Sequence, residues 1–221
     1  GLPELLIGLT YAASGGIGYP LTVTAALMPS REGMLGAVTI GQALIVLGCS
    51  CFLFFNAKVF RPNASWSVPV AALGSLILAV CGAAVVVEFH ATTDLALITE
   101  RTRAWTAGFL LVLVAGQGWT AVEGFRHYRM MRRRQSLGLA EPIVTNRFLL
   151  WGISGVVSLT WNGVVNFYLL AGVNINSNPV PVFAVSFGGL LTAVCLVLTF
   201  MPPVLMSATL RALWAALISS K

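Results

Sequence analysis

Long apolar runs recur along this sequence, and they constrain its fold more than any other feature. Six such runs are separated by short polar segments, and each is long enough to cross the hydrocarbon core of a bilayer, which takes about 20 residues. Of the 221 residues, 57% are hydrophobic and only 9% are charged, whereas a soluble domain carries about 25% charged residues. The runs lack the short alternating pattern of β-barrel strands. We therefore predict an all-α fold, a polytopic helical membrane protein.

We place six transmembrane spans in one helical bundle that covers residues 1–221. The spans are Leu5–Leu27, Met34–Phe55, Val68–Val87, Trp105–Phe125, Phe148–Gly172 and Val180–Phe200. A further segment, 204–218, is short and carries Arg211 near its middle, with apolar and polar residues on opposite faces. This pattern predicts an amphipathic helix in the membrane interface, with a short seventh span as the alternative. Residues 93–101 are expected to form one or two helical turns on the surface.

The basic residues predict the orientation of the bundle. Ten of the 13 Lys and Arg residues fall on one side of the predicted membrane, six of them in the loop 126–147. The positive-inside rule then places both chain ends in the cytoplasm, and a plasma membrane, specifically a bacterial inner membrane, is the expected location. The net charge of +6 follows from this clustering beside the spans. No nucleic-acid partner is expected.

The fifth span carries a stripe of polar side chains. The stripe consists of Ser154, Ser158, Asn162 and Asn166, which recur at every fourth position. Residues at this spacing share one face of a helix, and Trp161 flanks that face. Polar groups are unfavourable in hydrocarbon, so the stripe is expected to face the interior of the bundle.

Two interpretations of the interior polar residues remain open. Amide and hydroxyl groups can simply hold helices together, at about 0.6–2 kcal/mol each. Alternatively, they line a polar cavity that opens to the outer face and orients a small neutral ligand, since no counter-charge is buried at that depth. The candidate ligand-binding residues are Asn162, Asn166, Gln42, Tyr19, Trp161, Ser158 and Gln117.

Three glycines and a proline interrupt the middle of the first span. Gly15, Gly16 and Gly18 are expected to let the backbone of another helix approach closely. Pro20 has no N–H to donate to the carbonyl of Gly16, which predicts a kink there. A broken helix whose free carbonyl groups line a binding site is the alternative.

Glu123 is the only acid deep in a span, and Arg126 and His127 follow it at helical pairing distance. We expect a local ion pair at the membrane edge, with proton coupling as the alternative. Several chemistries are excluded, because no span contains a lysine for a Schiff base and both histidines lie at span ends. The four cysteines all lie in predicted spans and are expected to pack as small apolar residues. No catalytic residue, cofactor or metal is predicted.

Three functions fit this sequence. The main hypothesis is a sensor or regulatory domain that passes an outer-face or intramembrane signal to a cytoplasmic effector. The contact surfaces would be the basic segment 126–147 and the C-terminal helix. A small-molecule transporter or channel is the first alternative, and a structural subunit of a larger membrane complex is the second. Expected partners are therefore the lipid bilayer, a cytoplasmic effector, and another membrane protein or a second copy of the chain. Enzymatic activity is not expected.

Overall fold

The computed structural model of the chain describes residues 1–173 and 178–200, which form helices and no strand. The long helices are α3 (Arg31–Phe60), α4 (Ser67–Ala91), α5 (Leu95–Ser136), α6 (Pro142–Leu170) and α7 (Pro179–Phe200). These five helices are long and apolar enough to cross a membrane. The predicted class, a multi-pass helical membrane protein, is confirmed. The segment 204–218, for which the sequence predicts an amphipathic helix or a seventh span, lies outside the described residues.

The first predicted span does not form one long helix, so the number of long helices is smaller than the six predicted spans. It consists of α1 (Leu2–Leu9), a π-helix (Thr10–Gly18), α2 (Tyr19–Thr24) and a 3-10 turn (Ala25–Leu27). At the end of the π-helix, the N–H of Tyr19 donates to the carbonyl of Ser14, five residues earlier. Pro20 follows directly and has no N–H to donate. At the position where the sequence predicts a kink, the chain therefore changes from a π-helix to an α-helix.

Helix α5 is much longer than the predicted span Trp105–Phe125. Residues 95–101 are its first turns and not a separate surface element, and the predicted loop 126–147 is helical up to Ser136. The reason is that neither flank contains a glycine or proline, and arginine is a good helix former. The helix ends at Ser136, and Gly138 follows two residues later with a φ of 72°, a conformation that suits glycine. There the N–H of Leu139 donates to the carbonyl of Arg134 over 2.9 Å, which closes a Schellman cap.

The described chain divides into two compact units. The first contains Gly1–Gly116 and the end of α6 from Asn166, and the second contains Gln117–Val165 and α7. In the first unit, α3 packs against both the N-terminal segment and α4.

Glycines make the contact between α3 and the N-terminal segment close. A Cβ atom on Gly18 would lie 2.9 Å from the carbonyl oxygen of Gly41, and one on Gly48 would lie 2.8 Å from the backbone nitrogen of Ser14. The expected close approach is confirmed at Gly18. It is wrong for Gly15 and Gly16, because no described atom of another helix lies within 4 Å of a Cβ at either position. Gly15 and Gly16 are exposed on the opposite side of the segment.

In the second unit, α5 and α6 cross with their backbones nearly in contact. A Cβ on Gly124 would lie 2.6 Å from the backbone nitrogen of Gly152, and a Cβ on Gly155 would lie 2.6 Å from that of Ala121. Small residues at such positions are a common means of helix association in membranes. This crossing fixes α6, and with it the polar stripe, against α5.

Candidate functional site

The polar stripe predicted on the fifth span is buried along α6. Ser154, Ser158, Asn162 and Asn166 are all at most 4% exposed. The period of four places them on one face, and that face lies inside the protein as expected. The side chains of this face differ in their hydrogen-bond partners.

Ser158 behaves as an interhelical contact. Its hydroxyl lies 3.1 Å from the hydroxyl of Thr192 on α7, and Thr192 in turn donates to the carbonyl of Gly188 over 2.8 Å. Gly188 also faces the indole ring of Trp161, because a Cβ there would lie 2.7 Å from the ring atom Cδ1. For Ser158, the helix-packing interpretation is therefore sufficient.

Asn162 and Trp161 are different, because each presents a buried polar atom without a partner in the described chain. The Nδ2 group of Asn162 donates to the carbonyl of Ser158 over 2.9 Å, which also identifies which amide atom is the oxygen. Its Oδ1 atom is buried and accepts no hydrogen bond from the described residues, and the Nε1 group of Trp161 is buried and donates none. The two residues are adjacent on α6.

Asn166 repeats the pattern one helical turn further along α6, in the first unit. It is 4% exposed, and its Oδ1 atom is likewise buried without a partner in the described part of the chain. Successive turns are about 5.4 Å apart along the axis. Helix α6 therefore carries two open acceptors and one open donor within six residues.

Such atoms are unfavourable unless something binds them. A buried polar group without a hydrogen bond costs about 1–3 kcal/mol, and buried polar groups in proteins are nearly always paired with protein, water or ligand. The Trp161 donor and the Asn162 acceptor can each be satisfied by ordered water or by a neutral molecule that bears a hydroxyl or amide group. They do not match a cation or an anion, which would need a counter-charge.

The remaining predicted site residues lie on other helices than α6. Gln42 is half-buried on α3, with its Nε2 atom 3.2 Å from the Cβ position of Gly82 on α4. Tyr19 is 58% exposed on the surface of the first unit. Gln117 is half-buried on α5 in the second unit. The assignment of all seven residues to ligand binding stays a prediction.

One buried amide was outside the predicted spans. Asn56 is 0% exposed in α3, and its Nδ2 group donates to the carbonyl of Gly116 over 3.2 Å. The sequence interpretation ends the second span at Phe55, yet the first turn signal after it is Pro62. Because no helix-breaking residue occurs between Phe55 and Pro62, the sequence already indicates that the helix continues past Phe55. Asn56 is a partnered amide and serves as the internal comparison for Asn162.

Glu123 is buried at the end of the apolar part of α5 and lies beside His127. The carboxylate Oε2 atom is 3.7 Å from Nδ1 of His127, whose ring stacks on Phe148 with ring centres 5.2 Å apart. The expected proximity of His127 to the Glu123 carboxylate is thus found. Arg126 forms no ion pair within the described residues and lies on the exposed side of the helix.

Comparison with known proteins adds no family assignment: no family model, curated protein or solved structure matches this chain.

Proposed function

We propose that this chain is an integral membrane sensor or regulatory domain that binds a small neutral ligand along α6. The observation that carries the proposal is the pair of buried, unpartnered polar atoms on adjacent residues, Nε1 of Trp161 and Oδ1 of Asn162. A stripe used only for packing needs no open hydrogen-bonding capacity. Ser158 on the same face shows how a packing contact is completed by a neighbouring helix.

The ligand is a molecule with at least one hydrogen-bond donor and one acceptor and no net charge. The donor would bind Oδ1 of Asn162, and the acceptor would bind the indole N–H of Trp161. A charged ligand is disfavoured because Glu123 is the only charged residue among the buried residues described, and it pairs with His127.

Helix α5 offers the route from the site to the cytoplasm. Gly155 and Gly152 on α6 lie against Ala121 and Gly124 on α5, so a shift of α6 must move α5 or separate the two backbones. Helix α5 has 42 residues, which at 1.5 Å per residue is about 63 Å, roughly twice the hydrocarbon thickness. Its basic end therefore extends beyond the membrane and can contact an effector.

The arginine-rich end of α5 also supports an orientation of the chain in the membrane. With the N-terminal segment 2–27 counted as a crossing of about 39 Å, the chain crosses the membrane six times up to residue 200. The basic residues 126–134 then lie on the cytoplasmic side with both chain ends, in a plasma membrane such as the inner membrane of a bacterium.

A transporter or channel is the second candidate, and one observation favours it. The nine-residue π-helix Thr10–Gly18 lies inside the first predicted span, and π-helical turns frequently occur at functional sites. In transporters, helices that are interrupted near the middle of the membrane contribute to the substrate site, and here the α-helix is interrupted by the π-helix. Uptake of a neutral polar solute into proteoliposomes, which a sensor domain would not support, distinguishes this function.

The proposed site is tested by comparing two buried asparagines. Asn162→Leu removes an amide whose carbonyl oxygen has no partner, whereas Asn56→Leu removes an amide that is bonded to Gly116. We expect Asn56→Leu to lower the free energy of unfolding by about 1–3 kcal/mol. Asn162→Leu should leave stability unchanged or raise it, because a polar group kept for a ligand is often a burden on the fold. Thermal unfolding in one detergent measures both.

Native mass spectrometry of the same preparations provides the second measurement. A small neutral molecule that copurifies with the wild-type protein and with Asn56→Leu, but not with Asn162→Leu, would support the site. Equal destabilisation by both substitutions, with no bound molecule, would contradict it and leave a structural subunit as the function.

A further inference from the structure

A groove runs along the basic end of α5, separate from the polar face of α6. It is open to the surroundings and has a volume of about 750 Å³. Its cationic lining consists of Arg126, Arg129, Arg133 and Arg134. Its apolar lining consists of Val122, Phe125 and Met130. The described residues that line it all belong to one helix, with the apolar residues mainly at the membrane end and the arginines mainly at the far end.

The arginines of the groove are available for an anion. None of the four guanidinium groups lies within 4.0 Å of a carboxylate in the part of the chain that the structure describes. Arg126, Arg129, Arg133 and Arg134 are all exposed. At 100° per residue, Arg126, Arg129 and Arg133 fall within an arc of about 60°. Their charge is therefore concentrated on one side of the helix.

The position along α5 puts this groove at the level of lipid headgroups. Between Arg103 and Arg126 the only charged residue is Glu123, and this stretch is about 35 Å long, close to the hydrocarbon thickness of about 30 Å. The headgroup layer on each side is about 5–8 Å thick. Arg129 lies about 4.5 Å and Arg133 about 10 Å beyond Arg126 along the axis. The arginines thus begin in the headgroup layer and continue just past it.

We infer that this groove binds the phosphate headgroup of an anionic membrane lipid. Guanidinium groups bind phosphate oxygens through paired N–H donors, and Val122 and Phe125 provide an apolar surface for the adjoining acyl chain. Basic side chains beside a membrane helix are attracted to anionic lipid in this way. The combination of arginines with an apolar inner end favours a lipid over a soluble phosphate compound, which would have no use for the apolar part.

The inference is tested by titrating short-chain lipids into the full chain in detergent. Dioctanoylphosphatidylglycerol is the anionic probe, dioctanoylphosphatidylcholine is the zwitterionic control, and inorganic phosphate represents the soluble source. The double variant Arg129→Gln/Arg133→Gln removes groove charge. The matched control is Arg132→Gln/Arg147→Gln, which removes the same net charge from exposed arginines outside the groove. Microscale thermophoresis measures the apparent Kd.

We expect the wild-type protein to prefer phosphatidylglycerol, and the groove variant to bind it about thirtyfold more weakly, given the contribution of each basic residue near a membrane surface. The control variant should change the Kd less than threefold. All variants should unfold at the wild-type temperature without lipid, because every substituted side chain is exposed. Equal losses in both variants, equal affinity for phosphatidylcholine, or competition by millimolar inorganic phosphate would each overturn the inference.

Discussion

Replacing Gly18 with alanine tests how the N-terminal segment packs on α3. A Cβ atom at this position would lie 2.7 Å from the carbonyl oxygen of Ala13, 2.9 Å from that of Gly41 and 2.9 Å from Cγ1 of Ile45. The Gly41 carbonyl and the Ile45 side chain belong to α3, so α3 must shift away from the segment. The Ala13 carbonyl belongs to the π-helix itself, so that contact strains the segment's own backbone. Overpacking of this kind costs about 1–3 kcal/mol.

Gly15→Ala is the matched control in the same π-helix. No described atom lies within 4 Å of a Cβ there, so only the gain from replacing glycine in a helix remains, about 0.5–1 kcal/mol. Both substitutions share this gain, so they should differ by the overpacking cost alone, about 1–3 kcal/mol, or roughly 2–12 °C in Tm. Thermal unfolding in detergent, followed by tryptophan fluorescence, measures this difference. Equal Tm values for the two variants would refute the close packing of Gly18 against α3.

Three further predictions concern the second unit and the topology. Gly155→Ala should lower the Tm by several degrees, because its Cβ would lie 2.6 Å from the α5 backbone. The control Gly163→Ala should not lower it, because no described atom lies within 4 Å of a Cβ there. Similar Tm values for the two variants would contradict the α5–α6 crossing. Gly138→Ala should lower the free energy of unfolding by about 1–2 kcal/mol, because the residue has a φ of 72° in the helix cap. Chemical denaturation measures this change, and an unchanged denaturation midpoint would contradict the cap. In a cysteine-free background, a membrane-impermeant maleimide added to intact cells should label Thr93→Cys and not Gln135→Cys, and the reverse labelling would contradict the orientation.

The apolar runs were sufficient to predict helices and their approximate positions, because chain length and hydrophobicity set the minimum extent of a span. They did not predict where α5 ends. Hydropathy falls at Arg126, but backbone hydrogen bonding continues until Gly138 allows a left-handed residue. The end of a helix depends on its capping residue, and the end of its apolar part depends on the membrane.

The contacts of individual residues were less accessible to sequence reasoning. Gly15 and Gly18 look alike in the sequence, but only Gly18 faces α3. The reason is that the position of α3 determines which face of the N-terminal segment is buried. Asn56 and Asn162 are both buried amides, yet only one has all its described polar atoms paired. Whether an amide is a packing contact or part of a site depends on which groups lie opposite it, and one sequence does not contain that information.

A high-resolution experimental structure of the protein in a lipid bilayer tests the central claim most directly. The region to inspect is the buried face of α6 at Asn162 and Trp161. We predict non-protein density larger than a single water molecule within about 3.2 Å of Oδ1 of Asn162 and of the indole N–H of Trp161. A dry, close-packed interior in which both atoms bond to protein side chains would contradict the proposed site and leave the stripe as a helix-packing device.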